Sequence, residues 1–230
     1  MVTTLSFDDA KAGEPPVNPP PTSNVFADLE PPAEAFDGVN TKYAKQHVLL
    51  VLDTSGSMRS NGKIDESNLA KNNLISELAV PDNKDGFEVT EIPFSGRAKR
   101  TVFAQSAVGL TLKPGVAGGG TNFEVALTMA KEAILELDQR PNPEGYKYFR
   151  PVIIFMSDGH SIATDTTIET CKELADIIAI AFGADANKDM LAKIASDGKV
   201  HRVGTNGGDL AKFLAAVGKT ISDSFQAARV

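Results

Sequence analysis

Three short oxygen-bearing side chains stand at alternate positions in one stretch of this chain: Asp53, Ser55 and Ser57. They follow directly after Val48-Leu49-Leu50-Val51-Leu52, an apolar run that is typical of a strand buried on both faces. Hard oxygen ligands on a tight loop at the carboxyl end of such a strand suit a cation such as Mg²⁺. The alternative is a strand followed by a helix that the aspartate or a serine caps.

Two further loops place short oxygen side chains beside glycine. Gly118-Gly119-Gly120-Thr121-Asn122 precedes a strongly amphipathic segment, and Ser157-Asp158-Gly159 follows a second apolar run. Glycine lets the backbone turn tightly, and strand ends of a doubly wound sheet converge on one crevice. We therefore predict that one divalent cation is surrounded by five residues: Asp53, Ser55, Ser57, Thr121 and Asp158. The alternative is that Thr121 caps a helix and that the Asp-Gly pair is a simple turn.

Strand and helix patterns alternate from about residue 43 onward. The predicted strands are 48–53, 87–94, 101–103, 151–156, 177–182 and 200–203, and the predicted helices are 63–79, 121–137, 166–175, 188–195 and 209–225. This alternation indicates a doubly wound, Rossmann-like α/β fold with a mostly parallel six-stranded sheet between helices. Residues 87–94 alternate between apolar and polar, and 101–103 are predicted to form a short antiparallel edge strand.

The first 42 residues differ in composition from the rest, because they contain seven of the chain's 13 prolines in two clusters, 15–21 and 31–32. Such a segment neither pairs as strands nor continues a helix. We predict a proline-rich extended or disordered segment over 1–42, acting as a linker, and one folded domain over 43–230.

Composition narrows the function classes. The formal net charge of −7 and the scattered Lys and Arg residues argue against a nucleic-acid binder. The apolar runs are too short to span a bilayer, and the amino terminus lacks the pattern of a signal peptide. The one cysteine, Cys171, fits a reducing compartment. We therefore expect a soluble cytoplasmic protein that does not bind membranes.

The three loops resemble the metal-ion-dependent adhesion site of von Willebrand factor A domains, and the resemblance extends over about residues 44–228. It implies that Ser55 and Ser57 ligate Mg²⁺ (or Mn²⁺ or Ca²⁺) directly. It implies that Thr121 ligates directly or through water and that Asp53 and Asp158 act through water. Met58 and Arg59 stand where the integrin branch often has acidic residues for an adjacent cation, so we expect one metal ion.

Within that family, the compact size and the segment leading to Asp158-Gly159 look most like bacterial intracellular members of the tellurite-resistance type. The His160-Ser161 pair departs from that type, in which Glu-Pro often follows the Asp-Gly. His160 is expected to be a solvent-exposed loop residue near the metal. Tyr146, Tyr148 and Phe149 are predicted to lie in a proline-flanked loop at the end opposite the metal, where they pack or form a secondary contact.

The function that follows is a non-enzymatic interaction module in which the metal accepts a Glu or Asp side chain from a partner protein, with a monomer favoured. A Mg²⁺-dependent hydrolase or phosphatase using the same site is the alternative. Against it, Ser55 and Ser57 have no evident His partner, and the sequence lacks a nucleophile elbow and a phosphate-binding loop. A third possibility is a structural protein with a vestigial site, which the presence of all five ligand residues disfavours.

Overall fold

The computed structural model describes residues 44–142, 146–205 and 208–228. Their strands are β1 (Ala44–Asp53), β2 (Phe87–Phe94), β3 (Val102–Ser106), β4 (Lys147–Ser157), β5 (Asp176–Phe182) and β6 (Val200–Val203). Their α-helices are α1 (Lys63–Leu78), α2 (Phe123–Asp138), α3 (Asp165–Leu174), α4 (Lys188–Ile194) and α5 (Asp209–Ala227). Short 3₁₀ segments occupy Gly56–Gly62 and Pro81–Asn83. The proline-rich segment 1–42 lies outside the described residues, so its extended structure stays a prediction.

The six strands form one sheet in the order β3-β2-β1-β4-β5-β6. Every neighbouring pair is parallel except β2 and β3, which are antiparallel. The predicted sheet with one antiparallel edge strand is thus confirmed. From β1 the chain moves outward to β2 and β3 on one side, and later to β4, β5 and β6 on the other. The strand order therefore switches direction at β1, and a crevice opens between the carboxyl ends of β1 and β4.

Helices cover both faces of the sheet, which explains why the central strands are continuously apolar. Val48 and Leu50 of β1 belong to the core under α1 and α5, whereas Leu49 and Val51 belong to the core under α2, α3 and α4. The alternation of side chains along β1 thus supplies two cores at once.

One strand, β4, differs from the sequence interpretation. β2 has the predicted bounds, and it lies between β1 and β3 with its Thr90 and Glu91 buried. β4 begins at Lys147, so Tyr148 and Phe149 lie in a strand and the prediction of a loop there is wrong. Pairing with β1 extends β4 ahead of its apolar run, because Lys45 lies opposite Tyr148 and Gln46 lies opposite Phe149, and the register shifts between Gln46 and Val48.

None of the helices among the described residues is long and apolar enough to cross a membrane.

Candidate metal centre

The loop after β1 turns around the carboxylate of Asp53. Asp53 is fully buried at the end of the strand, and its Oδ1 accepts a hydrogen bond of 2.7 Å from the amide of Ser55. Ser55 occupies the N-cap position of the 3₁₀ segment, but its side chain makes no capping bond. Its Oγ instead lies 2.9 Å from Oγ of Ser57. The alternative that a serine hydroxyl caps the helix is therefore wrong for Ser55, whose hydroxyl contacts Ser57 instead.

The end of β4 brings the second carboxylate to the same place. The hydroxyl of Ser57 donates to Asp158 Oδ1 at 2.8 Å, and the hydroxyl of Ser157 donates to Asp53 Oδ2 at 2.5 Å. Ser157 Oγ also accepts a hydrogen bond of 3.0 Å from the amide of Gly159. One network of hydroxyls and carboxylates therefore joins two loops that are about a hundred residues apart in sequence.

The glycine-rich loop at 118–120 forms the third side of the site. The amide of Gly118 donates to the carbonyl of Thr54 at 2.8 Å, and the amide of Gly56 donates to the carbonyl of Gly119 at 2.9 Å. Gly119 has a φ of 79°, a left-handed conformation that favours glycine. The backbone of this loop is thus hydrogen-bonded directly to the loop that carries the two serines.

The Thr121 hydroxyl is available to bind a metal, because the neighbouring Asn122 caps α2 in its place. The Asn122 side chain caps α2 by accepting a hydrogen bond of 3.2 Å from the amide of Val125, so Thr121 is not the cap. Among the described residues, none hydrogen-bonds to the Thr121 hydroxyl. A Cβ atom built on Gly159 would lie 2.9 Å from Thr121 Oγ1 and 3.5 Å from Asp53 Oδ2. All five predicted residues therefore meet at one end of the sheet.

A sixth side chain at this site was not predicted. Lys63, the first residue of α1, is 5 % exposed, and its Nζ donates to Asp158 Oδ2 at 2.7 Å. In the sequence it belongs to a polar loop and helix start, ten residues after Asp53. Nothing local distinguishes it from a surface lysine, because its partner is 95 residues away in the chain.

Burial dominates the electrostatics of Asp53. It raises the pKa of this carboxyl above its usual range, and the nearby charge of Asp158 acts in the same direction. The hydrogen bonds from Ser157 and Ser55 oppose the rise without cancelling it. A buried carboxylate in this position is thus a costly group unless a cation lies beside it.

The donor set fits a hard divalent cation. Its atoms are hydroxyl and carboxylate oxygens, which suit Mg²⁺, Mn²⁺ and Ca²⁺. The described residues contain no group of three or more His, Cys, Asp or Glu placed to hold a metal, so the serine and threonine hydroxyls would be needed. Ser57 and His160 are exposed at the mouth, as is Arg59, whose Nε donates to the Ala117 carbonyl at 3.0 Å.

Comparison with known proteins identifies the family of this architecture. The profile of the von Willebrand factor type A domain matches residues 47–213. No curated protein matches the chain in sequence.

Solved structures with the same fold are distant in sequence. Proximal thread matrix protein 1 from the mussel byssus, with a zinc-occupied MIDAS motif, has 20 % identity and a TM-score of 0.58, over 80 % of this chain and 47 % of that one. The pilus adhesin SpaC from Lactobacillus rhamnosus GG has 14 % identity and a TM-score of 0.63, over 79 % and 30 %. The conserved hypothetical protein BatB from Bacteroides thetaiotaomicron has 18 % identity and a TM-score of 0.55, over 79 % and 98 %. This chain thus spans about half of the mussel protein.

Proposed function

Because the chain belongs to the von Willebrand factor type A domain family, we propose that it is a protein-interaction module whose metal centre binds a carboxylate of a partner protein. The observation that carries this proposal is the hydrogen-bonded set of Ser55, Ser57 and Asp158 beside the buried Asp53. Ser55, Ser57 and Thr121 would hold Mg²⁺ through their hydroxyls, with the two aspartates beside them. Bound Mg²⁺ would supply a positive centre at the mouth of the crevice.

The surroundings of the site favour an anionic side chain as the ligand. Arg59 is exposed beside the glycine-rich loop, and a Cβ on Gly118 would lie 3.3 Å from its Nη2. The residues that would touch the metal directly are uncharged hydroxyls, which leave the cation attractive to an anionic oxygen. A Glu or Asp on a protein surface supplies that oxygen and can reach the exposed mouth near Ser57.

We further propose that the module is not an enzyme. Ser57 donates its hydrogen to Asp158 and Ser55 lies against Ser57, so in the part of the chain that the structure describes neither hydroxyl is hydrogen-bonded to a histidine that would activate it. The setting we propose is the bacterial cytoplasm, in a stress system of the tellurite-resistance type. The support for this setting is the resemblance of the Asp158-Gly159 segment, and we favour a monomer that binds neither nucleic acid nor membrane.

The proposal is tested by titrating the protein with Mg²⁺ calorimetrically and by capturing partners from bacteria grown with and without tellurite. We expect Ser55→Ala combined with Ser57→Ala to abolish both Mg²⁺ binding and EDTA-sensitive capture. The control is Ser76→Ala, since Ser76 is an α1 serine whose hydroxyl donates to the Asn72 carbonyl of its own helix.

Three outcomes would contradict parts of the proposal. Capture that persists in EDTA would show that the partner docks elsewhere. Turnover of a phosphatase substrate that requires Ser55 and Ser57 would favour the enzymatic alternative. Survival of capture after each acidic surface residue of the partner has been changed to Ala would exclude a carboxylate bridge.

A further inference from the structure

Lys63 holds a position that an ordinary surface lysine would not. Its side chain is 6 % exposed and that of Asp158 is fully buried, so the ion pair between them is shielded from solvent. The end of β5 closes over the ammonium group, because a Cβ on Gly183 would lie 3.3 Å from both Cε and Nζ of Lys63. Lys63 is therefore a buried part of the metal centre and not a surface residue beside it.

Both oxygens of Asp158 are engaged as a result. Oδ1 accepts from the Ser57 hydroxyl and Oδ2 accepts from the Lys63 ammonium. The carboxylate that would help to neutralise a cation already neutralises a lysine. The permanent charge of the buried site thus comprises one negative charge from Asp53 and a compensated pair, rather than two free negative charges.

We infer that Lys63 makes the centre depend on an anionic ligand, by leaving a net charge of one positive unit when a divalent cation is bound. This inference rests on the proposed function. With a neutral residue at position 63, the two aspartates would balance the cation by themselves. With Lys63 present, an external carboxylate completes the balance, so the cation and the anion each strengthen the binding of the other.

The chain contains a matched control for the effects of burying an ion pair. Lys71, eight residues further along α1, donates to Glu91 Oε1 at 2.6 Å, and both side chains are 4 % exposed. This pair joins α1 to β2, away from the metal centre. Lys71→Met therefore removes a similarly buried ammonium without changing the charge beside the aspartates of the site.

The experiment is a calorimetric titration of the full chain with Mg²⁺, in sodium acetate and in sodium chloride of equal ionic strength. Acetate serves as the free carboxylate probe. We expect Lys63→Met to bind Mg²⁺ about tenfold more tightly than the wild type in chloride, because a unit positive charge near the cation is removed. We expect acetate to tighten Mg²⁺ binding about threefold in the wild type and much less in Lys63→Met, since the coupling is reciprocal. Lys71→Met should behave as the wild type does in both salts.

Thermal unfolding supplies a second readout, independent of the partner. Both Lys→Met variants should melt lower than the wild type in EDTA, since each leaves a buried carboxylate unpaired. Mg²⁺ should raise the melting temperature of Lys63→Met more than that of the wild type, and should not do so for Lys71→Met. If Lys63→Met does not fold, Lys63→Gln removes the same charge.

The possible outcomes distinguish a failure of the role inferred for Lys63 from a failure of the proposed function. Equal Mg²⁺ affinity and equal acetate coupling in the wild type and Lys63→Met would overturn the role of Lys63 and leave the proposed function standing. Weaker Mg²⁺ binding in Lys63→Met would show that the lysine only supports the structure of Asp158. An absence of Mg²⁺ binding in all variants would overturn the proposed function and this inference with it.

Discussion

Gly159 illustrates how little space surrounds the residues that would hold a metal. Its missing side chain leaves room for Thr121 and Asp53, since a Cβ there would lie 2.9 Å from Thr121 Oγ1. The Thr121 side chain is short and β-branched, so its hydroxyl can move away only if the side chain changes its rotamer. The glycine is thus required by the side chain opposite it rather than by a turn.

We predict that Gly159→Ala lowers Mg²⁺ affinity by at least about tenfold, because the new methyl group displaces the Thr121 hydroxyl. The cost in folding stability should be about 1 kcal/mol, as for modest overpacking. Gly120→Ala is the control, since a Cβ at Gly120 has nothing within 4 Å and stands beside the same threonine. Unchanged Mg²⁺ affinity in Gly159→Ala, measured by calorimetry, would exclude Thr121 from the metal centre.

At the scale of elements, the sequence predicts strands and helices well because their patterns are local. The runs in β1 and β4 are apolar on both faces, and each of the five predicted helices begins within two residues of its observed start. The contacts that connect elements are not local. The bonds from Lys63 to Asp158 and from Lys71 to Glu91 join residues whose polar character suggests the surface. Their burial follows only from the pairing of distant strands.

A further buried polar contact joins β1 to β2 at the opposite end of the sheet, and it also links residues that are distant in sequence. His47 is buried, its Nε2 lies 2.9 Å from Thr90 Oγ1, and its Nδ1 has no hydrogen-bond partner among the described residues. Burial, reinforced by the charge of Arg140, lowers the pKa of His47 to about 3. The folded protein therefore holds this imidazole neutral, whereas the unfolded chain protonates it near pH 6.5.

This difference predicts a loss of stability in acid. The unfolded state binds one more proton between pH 6.5 and about 3, so the free energy of unfolding falls as the pH drops through that range. At about 1.4 kcal/mol per pH unit, His47 should contribute a loss of about 2–3 kcal/mol between pH 6.5 and 4.5. His47→Gln should lack this contribution, as measured by urea unfolding at the two pH values. Equal losses in the two proteins would show that His47 is protonated in the folded state.

At the scale of the whole molecule, the sheet separates two kinds of buried polar group. The neutral His47 lies near the amino ends of the parallel strands, and the charged centre lies at their carboxyl ends. The oxygens of the metal centre come from separate loops, which meet only when the sheet and its helices are folded. A cation at the crevice therefore binds the folded state and not the unfolded chain. Mg²⁺ binding is then coupled to global unfolding.

We therefore predict that Mg²⁺ at a hundred times its dissociation constant stabilises the chain by about 2.7 kcal/mol. For a protein of this size, that corresponds to a rise of roughly 5–11 °C in the melting temperature. Asp53→Asn should show no such rise. Its melting temperature in EDTA should equal or exceed that of the wild type, because burial raises the pKa of Asp53 and its ionised form disfavours folding near neutral pH.

Scanning calorimetry of both proteins, in EDTA and in Mg²⁺, measures the four values. The amide that Asp53→Asn introduces would keep a polar contact with the hydroxyl of Ser157, so a large loss of stability is not expected from broken hydrogen bonds. A marked fall in the melting temperature of Asp53→Asn in EDTA would show that this carboxylate stabilises the fold through Ser55 and Ser157. An equal Mg²⁺-induced rise in both proteins would place the cation away from Asp53, and the crevice between β1 and β4 would then not be the metal centre.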